Sequence, residues 1–354
     1  MNFEQMIQEI RSEPLLTLLS SVRCEETEPL NIHATKAGSF DSSISQGLPF
    51  ALPRLGDVVE IQGPPASGKS HLLYLLMFIC IIPTTHASIS LGGWDKVVLL
   101  FDTDASFDLV RFERLLTSHL EAALNTNTST VQQLVKRSLK NLHIFRPASS
   151  IQLAATLLCL PSYHHTKLPD SEIGILAVDS MSAFYWLDRF TAEQLRATNA
   201  PGVKEPNNPL QHVITALQRF HRTHRPLIVL TNWGLTSTQS NVGIDRRGVP
   251  TYRQHLNPPP ALFPDLEADS PPVHSFRLPL TLHITLSMSP VQQFPVDISL
   301  DDACAQECPN PSTICQILGV VRSANSSQTN QFTLNIEANR IDASITVSSP
   351  TKDH

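Results

Sequence analysis

Residues 63–70 read Gly-Pro-Pro-Ala-Ser-Gly-Lys-Ser, which places two glycines, a lysine and a serine at the spacing G-x4-G-K-S. Glycines at these positions let the backbone curl so that successive N–H groups point towards phosphate oxygens. The preceding stretch, VVEI at 58–61, is typical of a buried strand, and the stretch that follows, from 71 onwards, is typical of a helix. A strand, this loop and a helix in that order predict a phosphate-binding loop, or P-loop.

The P-loop predicts how a nucleoside triphosphate and its metal are held. Lys69 is expected to reach the β and γ phosphates, and the Ser70 hydroxyl is expected to ligate Mg²⁺. The loop amides and the positive end of the following helix dipole add to phosphate binding. The alternative is a glycine-rich turn without a ligand. The predicted nucleotide-binding residues in the loop are Gly63, Pro64, Pro65, Ala66, Ser67, Gly68, Lys69 and Ser70.

Apolar runs and helical patterns alternate along the chain after the P-loop, as they do in a mostly parallel sheet wrapped by helices. Strands are predicted at 57–62, 96–101, 141–145, 173–178, 226–231, 280–287, 315–322 and 331–338. Helices are predicted at 69–81, 106–122, 129–138, 149–160 and 208–223. The fold class is therefore α/β, with a twisted sheet, helices on both of its faces and a C-terminal β-hairpin.

Three segments follow from this pattern. Residues 1–50 are expected to form an N-terminal helix and a linker, and residues 51–340 to form the α/β core. Within the core, a long proline-rich loop is expected at 234–278. Residues 341–354 are expected to be a polar tail.

Charge and composition exclude several classes of protein. The chain of 354 residues has 26 lysines and arginines against 32 aspartates and glutamates, a net charge of −6, so it has no overall attraction to nucleic acid or anionic membranes. The acidic N-terminus does not resemble a signal peptide, and the longest apolar run, 72–82, is too short to cross a bilayer. We therefore expect a soluble intracellular protein without a membrane partner.

The cysteines indicate reduced thiols better than a metal site. Cys80 and Cys159 lie in apolar runs and are predicted to be buried. Cys304, Cys308 and Cys315 have no histidine pair at zinc-ligand spacing near them, so free thiols are favoured over a bound metal.

Carboxylates follow two of the predicted strands. Asp179 ends the strand 173–178 and is the candidate for holding the hydration shell of Mg²⁺, since ligands of open α/β sheets bind at the carboxyl ends of strands. Asp102 and Asp104 follow the strand 96–101 and would face the same crevice, where one of them could orient a water as general base. The alternative is that these aspartates only cap the helices that follow them.

The order of these motifs resembles the RecA-type recombinase ATPase family. The P-loop is followed by FDTDASFDLVRFERL at 101–115, LAVDSMSAFYWLDR at 176–189 and LIVLTNWG at 227–234. Within that family, DTDASFD and DSMSAFYWLDR resemble the eukaryotic recombinase paralogues. The resemblance covers residues 50–235 and, more loosely, 315–340.

The resemblance implies a RecA-like ATPase core that binds ATP and Mg²⁺ through the P-loop residues and Asp179. It also implies a nuclear protein that acts in homologous recombination and double-strand-break repair, in a complex with other recombinase paralogues. Active family members have a water-activating glutamate where this chain has Asp104, and a polar phosphate-sensing residue where it has Trp233. A shorter carboxylate and an indole with a single donor both disfavour hydrolysis.

DNA contact is implied for two loops, at about 188–207 and at 234–278. The second contains the candidate cations Arg246, Arg247 and Arg253, with Tyr252 available for stacking on a base. The DNA would be single-stranded or branched, and the contact could require the complex. The alternative is a solvated loop whose cations contact nothing.

These observations favour a mediator subunit that binds ATP and hydrolyses it weakly or not at all in isolation. Two alternatives stay open, namely a DNA-dependent ATPase that is active by itself and an unrelated P-loop enzyme such as a nucleotide kinase. The aromatic run at 184–186 is interpreted as packing in the core or at a subunit interface.

Overall fold

The apolar strands predicted from the sequence lie side by side in one sheet. A computed structural model describes residues 53–124, 128–198, 209–234, 278, 280–288, 299, 302, 315–323 and 326–345. The expectations for residues 1–50, for nearly all of the loop at 234–278 and for 346–354 fall outside these residues.

The helices and strands follow the predicted order closely. In the described residues the strands are β1 (Val58–Gly63), β2 (Thr85–His86), β3 (Ile89–Ser90), β4 (Val97–Asp102), β5 (Leu142–Phe145), β6 (Ile173–Asp179), β7 (Leu227–Trp233), β8 (Leu282–Met288), β9 (Cys315–Ser323), β10 (Ser326–Ile336) and β11 (Ile341–Ile345). The helices are α1 (Lys69–Ile81), α2 (Leu109–Leu124), α3 (Thr128–Leu139), α4 (Ser150–Lys167), α5 (Tyr185–Thr198) and α6 (Pro209–His224).

The main sheet has nine strands in the order β11-β10-β9-β8-β1-β7-β6-β4-β5. The six strands from β8 to β5 pair in parallel, whereas the pairs β8–β9, β9–β10 and β10–β11 are antiparallel. A short β2–β3 hairpin stands apart from this sheet. The predicted α/β class, with a mostly parallel sheet and an antiparallel C-terminal hairpin, is confirmed as a RecA-like core.

Apolar side chains on the two faces of the sheet form two cores. Val59 and Ile61 of β1 belong to one core together with α1, α2 and α3, whereas Val58 belongs to the other core with α4 and α6. Alternate residues of a strand point to opposite faces, so β1, which is buried over its whole length, contributes to both cores. This explains why the central strands read as continuous apolar runs.

An aromatic cluster fixes α2 on α1. The ring of Phe112 is fully buried, and its centroid lies 4.8 Å from that of Phe78 and 5.3 Å from that of Tyr74. Phe107, in the segment before α2, lies 5.5 Å from Phe112. Edge-to-face and tilted pairs at these separations are favourable beyond the area that they bury. The cluster therefore places the segment between β4 and α2, which contains Asp104.

Two segments depart from the expectations. Helix α5 occupies the first part of the loop expected at 188–207, supported by an i,i+4 ion pair of Arg189 with Glu193 at 2.8 Å. Strand β11 occupies the start of the expected polar tail, because Ile341 and Ala343 alternate with polar residues and bury one face of the strand. The core therefore extends to at least residue 345.

The two cysteines predicted to be buried differ. Cys80 is buried in α1, as expected, but Cys159 is exposed. In α4 the buried positions include Leu157 and Leu160, so the helical repeat turns Cys159 outwards. An apolar run in the sequence did not distinguish the two faces of this helix.

None of the helices that the structure describes is long and apolar enough to cross a membrane.

Candidate nucleotide site

The P-loop follows β1 in the centre of the sheet and leads directly into α1. Gly68 precedes the helix with φ 80° and ψ 11°, the left-handed region that glycine tolerates best. A Cβ on Gly63 would lie 2.6 Å from the backbone oxygen of Leu286 and would also collide with Ser67. Both glycines of the motif are therefore required by the geometry of the loop.

Lys69 lies inside the loop. Its Nζ donates hydrogen bonds to the carbonyl oxygens of Gly63, at 2.9 Å, and Pro64, at 2.8 Å. Burial lowers the pKa of Lys69, and the nearby carboxylates of Asp179 and Asp104 oppose that shift. The ammonium group is thus held at the mouth of the loop, where phosphate oxygens could replace the two carbonyls as its partners.

Ser70 and Asp179 meet although 109 residues separate them in the sequence. The hydroxyl of Ser70 donates to Oδ2 of Asp179 at 2.8 Å, and the hydroxyl of Thr231, near the end of β7, donates to Oδ1. Burial raises the pKa of Asp179, and the two hydrogen bonds act in the opposite direction. The structure therefore brings together the two predicted metal-binding side chains and adds Thr231, which the sequence analysis did not single out.

The residues present fit a nucleoside triphosphate with Mg²⁺. The hydroxyl oxygens of Ser67 and Ser180 are buried, and neither has a hydrogen-bond partner within the described residues. Ser67 lies in the P-loop and Ser180 follows Asp179, so both are placed where phosphate oxygens or metal-bound water would need donors and acceptors. Hydroxyl and carboxylate oxygens such as those of Ser70 and Asp179 are the ligands that Mg²⁺ prefers.

Asp102 is held by the protein itself. It is buried at the end of β4, where Oδ2 accepts from Nε of Arg146 at 3.0 Å and Oδ1 accepts from the backbone N–H of Phe107 at 3.3 Å. Both carboxylate oxygens are thus engaged in positioning the turn after β4. Asp102 therefore holds the turn after β4 in place.

Asp104 has a different environment. It is exposed, and its Oδ1 accepts only a local hydrogen bond, from the N–H of Ser106 at 3.1 Å. Helix α2 begins at Leu109 and is capped by Asp108, which accepts from the N–H of Arg111 at 3.0 Å, so neither predicted aspartate caps it. The negative charge of Asp104 nevertheless acts to raise the pKa of both Lys69 and Asp179.

The end of β7 lies against the P-loop through backbone and side-chain hydrogen bonds. Gly234 N–H donates to the carbonyl of Gly63 at 2.8 Å, and Trp233 N–H donates to Oγ of Ser182 at 3.0 Å. The Ser182 hydroxyl in turn donates to Asn232 at 3.1 Å, and the Asn232 amide donates to buried Glu60. Trp233 is therefore next to the loop, as the resemblance implies for the phosphate-sensing position.

The C-terminal strands pack on the same loop. A Cβ on Gly68 would lie 3.1 Å from Ile317 and 3.2 Å from Ile336. The guanidinium of Arg111 in α2 donates to the backbone carbonyls of Glu337, at 2.7 Å, and Ala338. No local sequence signal could have found this contact, because it joins residues more than 220 positions apart.

The remaining predicted residues lie apart from the P-loop or outside the described part. Arg246, Arg247 and Arg253 are outside it, as are Cys304 and Cys308, while Cys315 is a free thiol in β9. Among the described residues, no group of three histidines, cysteines or carboxylates could hold a metal ion. Of the aromatic run, Phe184 and Tyr185 are half-buried and Trp186 is 56% exposed.

Comparisons with known proteins find DNA repair proteins among the relatives of this chain. DNA repair protein XRCC2 of Mus musculus is 30% identical over 203 residues, which are 57% of this chain and 64% of the mouse protein. The XRCC2 homolog of Arabidopsis thaliana is 26% identical in an alignment 202 residues long that covers 50% of this chain and 54% of that protein. The chain resembles the RecA-type recombinase paralogues. DNA repair protein RAD51 homolog 2 of Homo sapiens is 21% identical over 199 residues, which are 56% of this chain and 45% of the human protein.

No family model matches the chain. The chain spans between about half and two thirds of the length of the XRCC2 relatives that it matches. Similarity to recombinase paralogues supports nucleotide binding with a metal.

Proposed function

We propose that this chain is an ATP- and Mg²⁺-binding recombinase paralogue. In this proposal it acts in the nucleus as a mediator subunit of homologous recombination and double-strand-break repair, within a complex of recombinase paralogues. Contact with single-stranded or branched DNA belongs to the same proposal, with Arg246, Arg247 and Arg253 as predicted cations. The names of the relatives, which are DNA repair proteins, support the process.

The observation that carries the proposal is the convergence of Lys69, Ser70 and Asp179 at one end of the parallel strands. Ser70 and Asp179 would hold Mg²⁺, and the metal would supply positive charge to neutralise phosphate charge. Lys69 would exchange its carbonyl partners for phosphate oxygens, and the loop amides would hold the rest of the phosphate chain. Thr231 keeps the Asp179 carboxylate oriented towards Ser70.

Slow hydrolysis is supported by the two residues that depart from the family pattern. Asp104 is engaged with its own turn through Ser106, and its side chain is one methylene shorter than glutamate. A displacement of about 1 Å at a reacting group can cost roughly a hundredfold in rate. Trp233 brings an indole to the phosphate-sensing position, and an indole offers one donor and no acceptor.

The proposal is tested by purifying the full chain, with an affinity tag, from cells in which its gene is tagged at its own locus. The expected result is that other P-loop recombinase paralogues co-purify in fixed ratio and are found by mass spectrometry. A matched preparation of the tag alone serves as the control. Recovery of a different class of protein, or of the chain alone, would contradict the proposed assembly.

Restoring the longer carboxylate is expected to raise ATP turnover. We expect Asp104→Glu to increase phosphate release by about tenfold or more, because the carboxylate regains about 1 Å of reach towards the phosphates. The measurement is steady-state phosphate release with and without single-stranded DNA.

Asp170 is exposed and precedes β6, so it lies at the other end of the parallel strands from the P-loop. Asp170→Glu makes the same chemical change there and should leave turnover unaltered. A wild-type chain that already turns over several ATP molecules per second, as ordinary enzymes do, would contradict weak hydrolysis and favour an ATPase active by itself.

A further inference from the structure

Two neighbouring helices on one face of the sheet contain no carboxylate. Helices α4 and α6 pack against each other and share one apolar core. Their sequences, of 18 and 16 residues, include neither aspartate nor glutamate. The chain has 32 such residues in 354, so about three would be expected in two helices of this length. An acidic protein thus has two adjacent helices without a negative side chain.

Cations line the outer side of α6 at helical spacing. Arg219 and Arg222 are exposed and lie one turn apart, and Arg225 follows three residues later, directly after the helix. The inner side of α6 is apolar, with Val213, Leu217 and Phe220 among its buried residues. The arginines therefore form a row directed away from the core.

The end of α4 adds a fourth cation to this row. The rings of His164 in α4 and His224 in α6 lie 5.4 Å apart, edge to face, so the two helices end side by side. Lys167 is exposed in the last turn of α4. Within the described residues, none of these four cations forms an ion pair. We call Lys167, Arg219, Arg222 and Arg225 the basic row.

The helix dipole explains only part of this arrangement. Cations in the last turn of a helix are stabilised by its negative end, which accounts for Lys167 and Arg222. Arg225 directly follows the helix, where its backbone N–H donates to the carbonyl of His221 at 2.9 Å, so the same negative end favours it too. Of the four cations, Arg219 precedes the last turn of α6 and is not explained by the dipole. The dipole also gives no reason for the absence of carboxylates along both helices.

We propose that the basic row binds the phosphate backbone of nucleic acid. The row of arginines from Arg219 to Arg225 extends about 9 Å along the axis of α6, at 1.5 Å per residue. This length matches the rise of roughly three phosphates of one nucleic-acid strand, at about 3.4 Å each along the duplex axis. Guanidinium groups pair with phosphate oxygens in a bidentate manner. No nearby carboxylate on either helix competes with phosphate for these cations.

The basic row is distinct from the loops implied for DNA. It lies where α4 and α6 end, next to the start of β7, whereas the P-loop lies at the other end of the parallel strands. Strands of seven residues separate the two by on the order of 20 Å. The choice of nucleic acid as the ligand of the basic row rests on the proposed role in DNA repair. The proposed contact itself does not depend on bound nucleotide.

The test compares two triple variants of the full chain that remove the same charge. The first variant combines Arg219→Gln, Arg222→Gln and Arg225→Gln. The other combines Lys136→Gln, Arg137→Gln and Lys140→Gln at the end of α3, on the opposite face of the sheet. Binding of a fluorescein-labelled DNA duplex and of labelled oligothymidylate is followed by anisotropy over a series of salt concentrations.

The slope of log affinity against log salt concentration is expected to be less steep by about three in the α6 variant, because each lost phosphate contact removes about 0.9 from it. The α3 variant should keep the wild-type slope. The thermal transition of both variants should match that of the wild type, since the substituted side chains are exposed.

Three outcomes would overturn the proposal. They are equal slopes for the wild type and the α6 variant, an equal loss in both variants, and wild-type protein that binds neither probe at low salt. Binding of polyglutamate that the α6 variant alone loses, without such a loss for DNA, would assign the row to an acidic protein. ATP binding and co-purification of paralogues are measured on the same variant, so the proposed function can stand when the basic row fails.

Discussion

Lys69→Ala is expected to weaken ATP binding by about 10- to 100-fold. A hydrogen bond to a charged group contributes roughly 1.5–3 kcal/mol, and this substitution removes the ammonium that lies within 3 Å of two loop carbonyls. The loop backbone keeps its shape through Gly63 and Gly68, so residual binding should persist. The measurement is the dissociation constant of ATP in the presence of Mg²⁺, by isothermal titration calorimetry.

Lys136→Ala is the matched control for this substitution. Lys136 is exposed on α3 and has the same side chain at a distance from the loop, so its variant should bind ATP like the wild type. Unchanged affinity in the Lys69 variant would remove the basis for a nucleotide site. If the Lys69→Ala variant loses affinity and also unfolds at a lower temperature, misfolding would account for the loss. Lys69→Arg distinguishes misfolding from a lost phosphate contact, because arginine keeps the charge and the bulk of the side chain but not the compact ammonium.

Phe112→Ala is expected to lower the free energy of unfolding by about 3–5 kcal/mol, the usual cost of truncating a buried phenylalanine. Its ring contacts Phe78, Tyr74 and Phe107, so the substitution leaves a cavity where α2 packs on α1. Because native stabilities are about 5–15 kcal/mol, this loss is a large fraction of the total. Chemical denaturation with urea measures it.

Leu109→Ala in the same helix provides the comparison for stability. Leu109 is 48% exposed, so its truncation should change the free energy of unfolding by less than about 1 kcal/mol. A Phe112 variant as stable as the Leu109 variant would show that the aromatic cluster does not anchor α2. The position of Asp104, which depends on that anchoring, would then need another explanation.

The centre of the fold was predictable because its signals are local. Strand β1, the P-loop and α1 are adjacent in the sequence, and the strands β1, β4 and β6 are buried over their whole length. Asp179 could be placed near Ser70 because the carboxyl ends of parallel strands meet at one edge. In these cases the periodicity of the sequence and the order of the helices and strands were enough to place the residues.

Features that depend on distant partners could not be predicted. The contact of Arg111 with the carbonyls of Glu337 and Ala338 requires the C-terminal strands to reach across to α2. Thr231 looks like any strand threonine until β7 is placed beside β6. Strand β11 is five residues long and mixes polar with apolar positions, so its composition resembled a tail until pairing with β10 showed its buried face.

The position of β1 has a consequence for synthesis on the ribosome. This strand pairs with β7 on one side and with β8 on the other, and its partner Leu282 is 223 positions beyond Val59. A nascent chain therefore emerges with the P-loop strand unpaired, and that strand gains both neighbours only after residue 288 has left the exit tunnel. Unpaired edges of this kind attract other strands, so products that stop before β8 are exposed to aggregation.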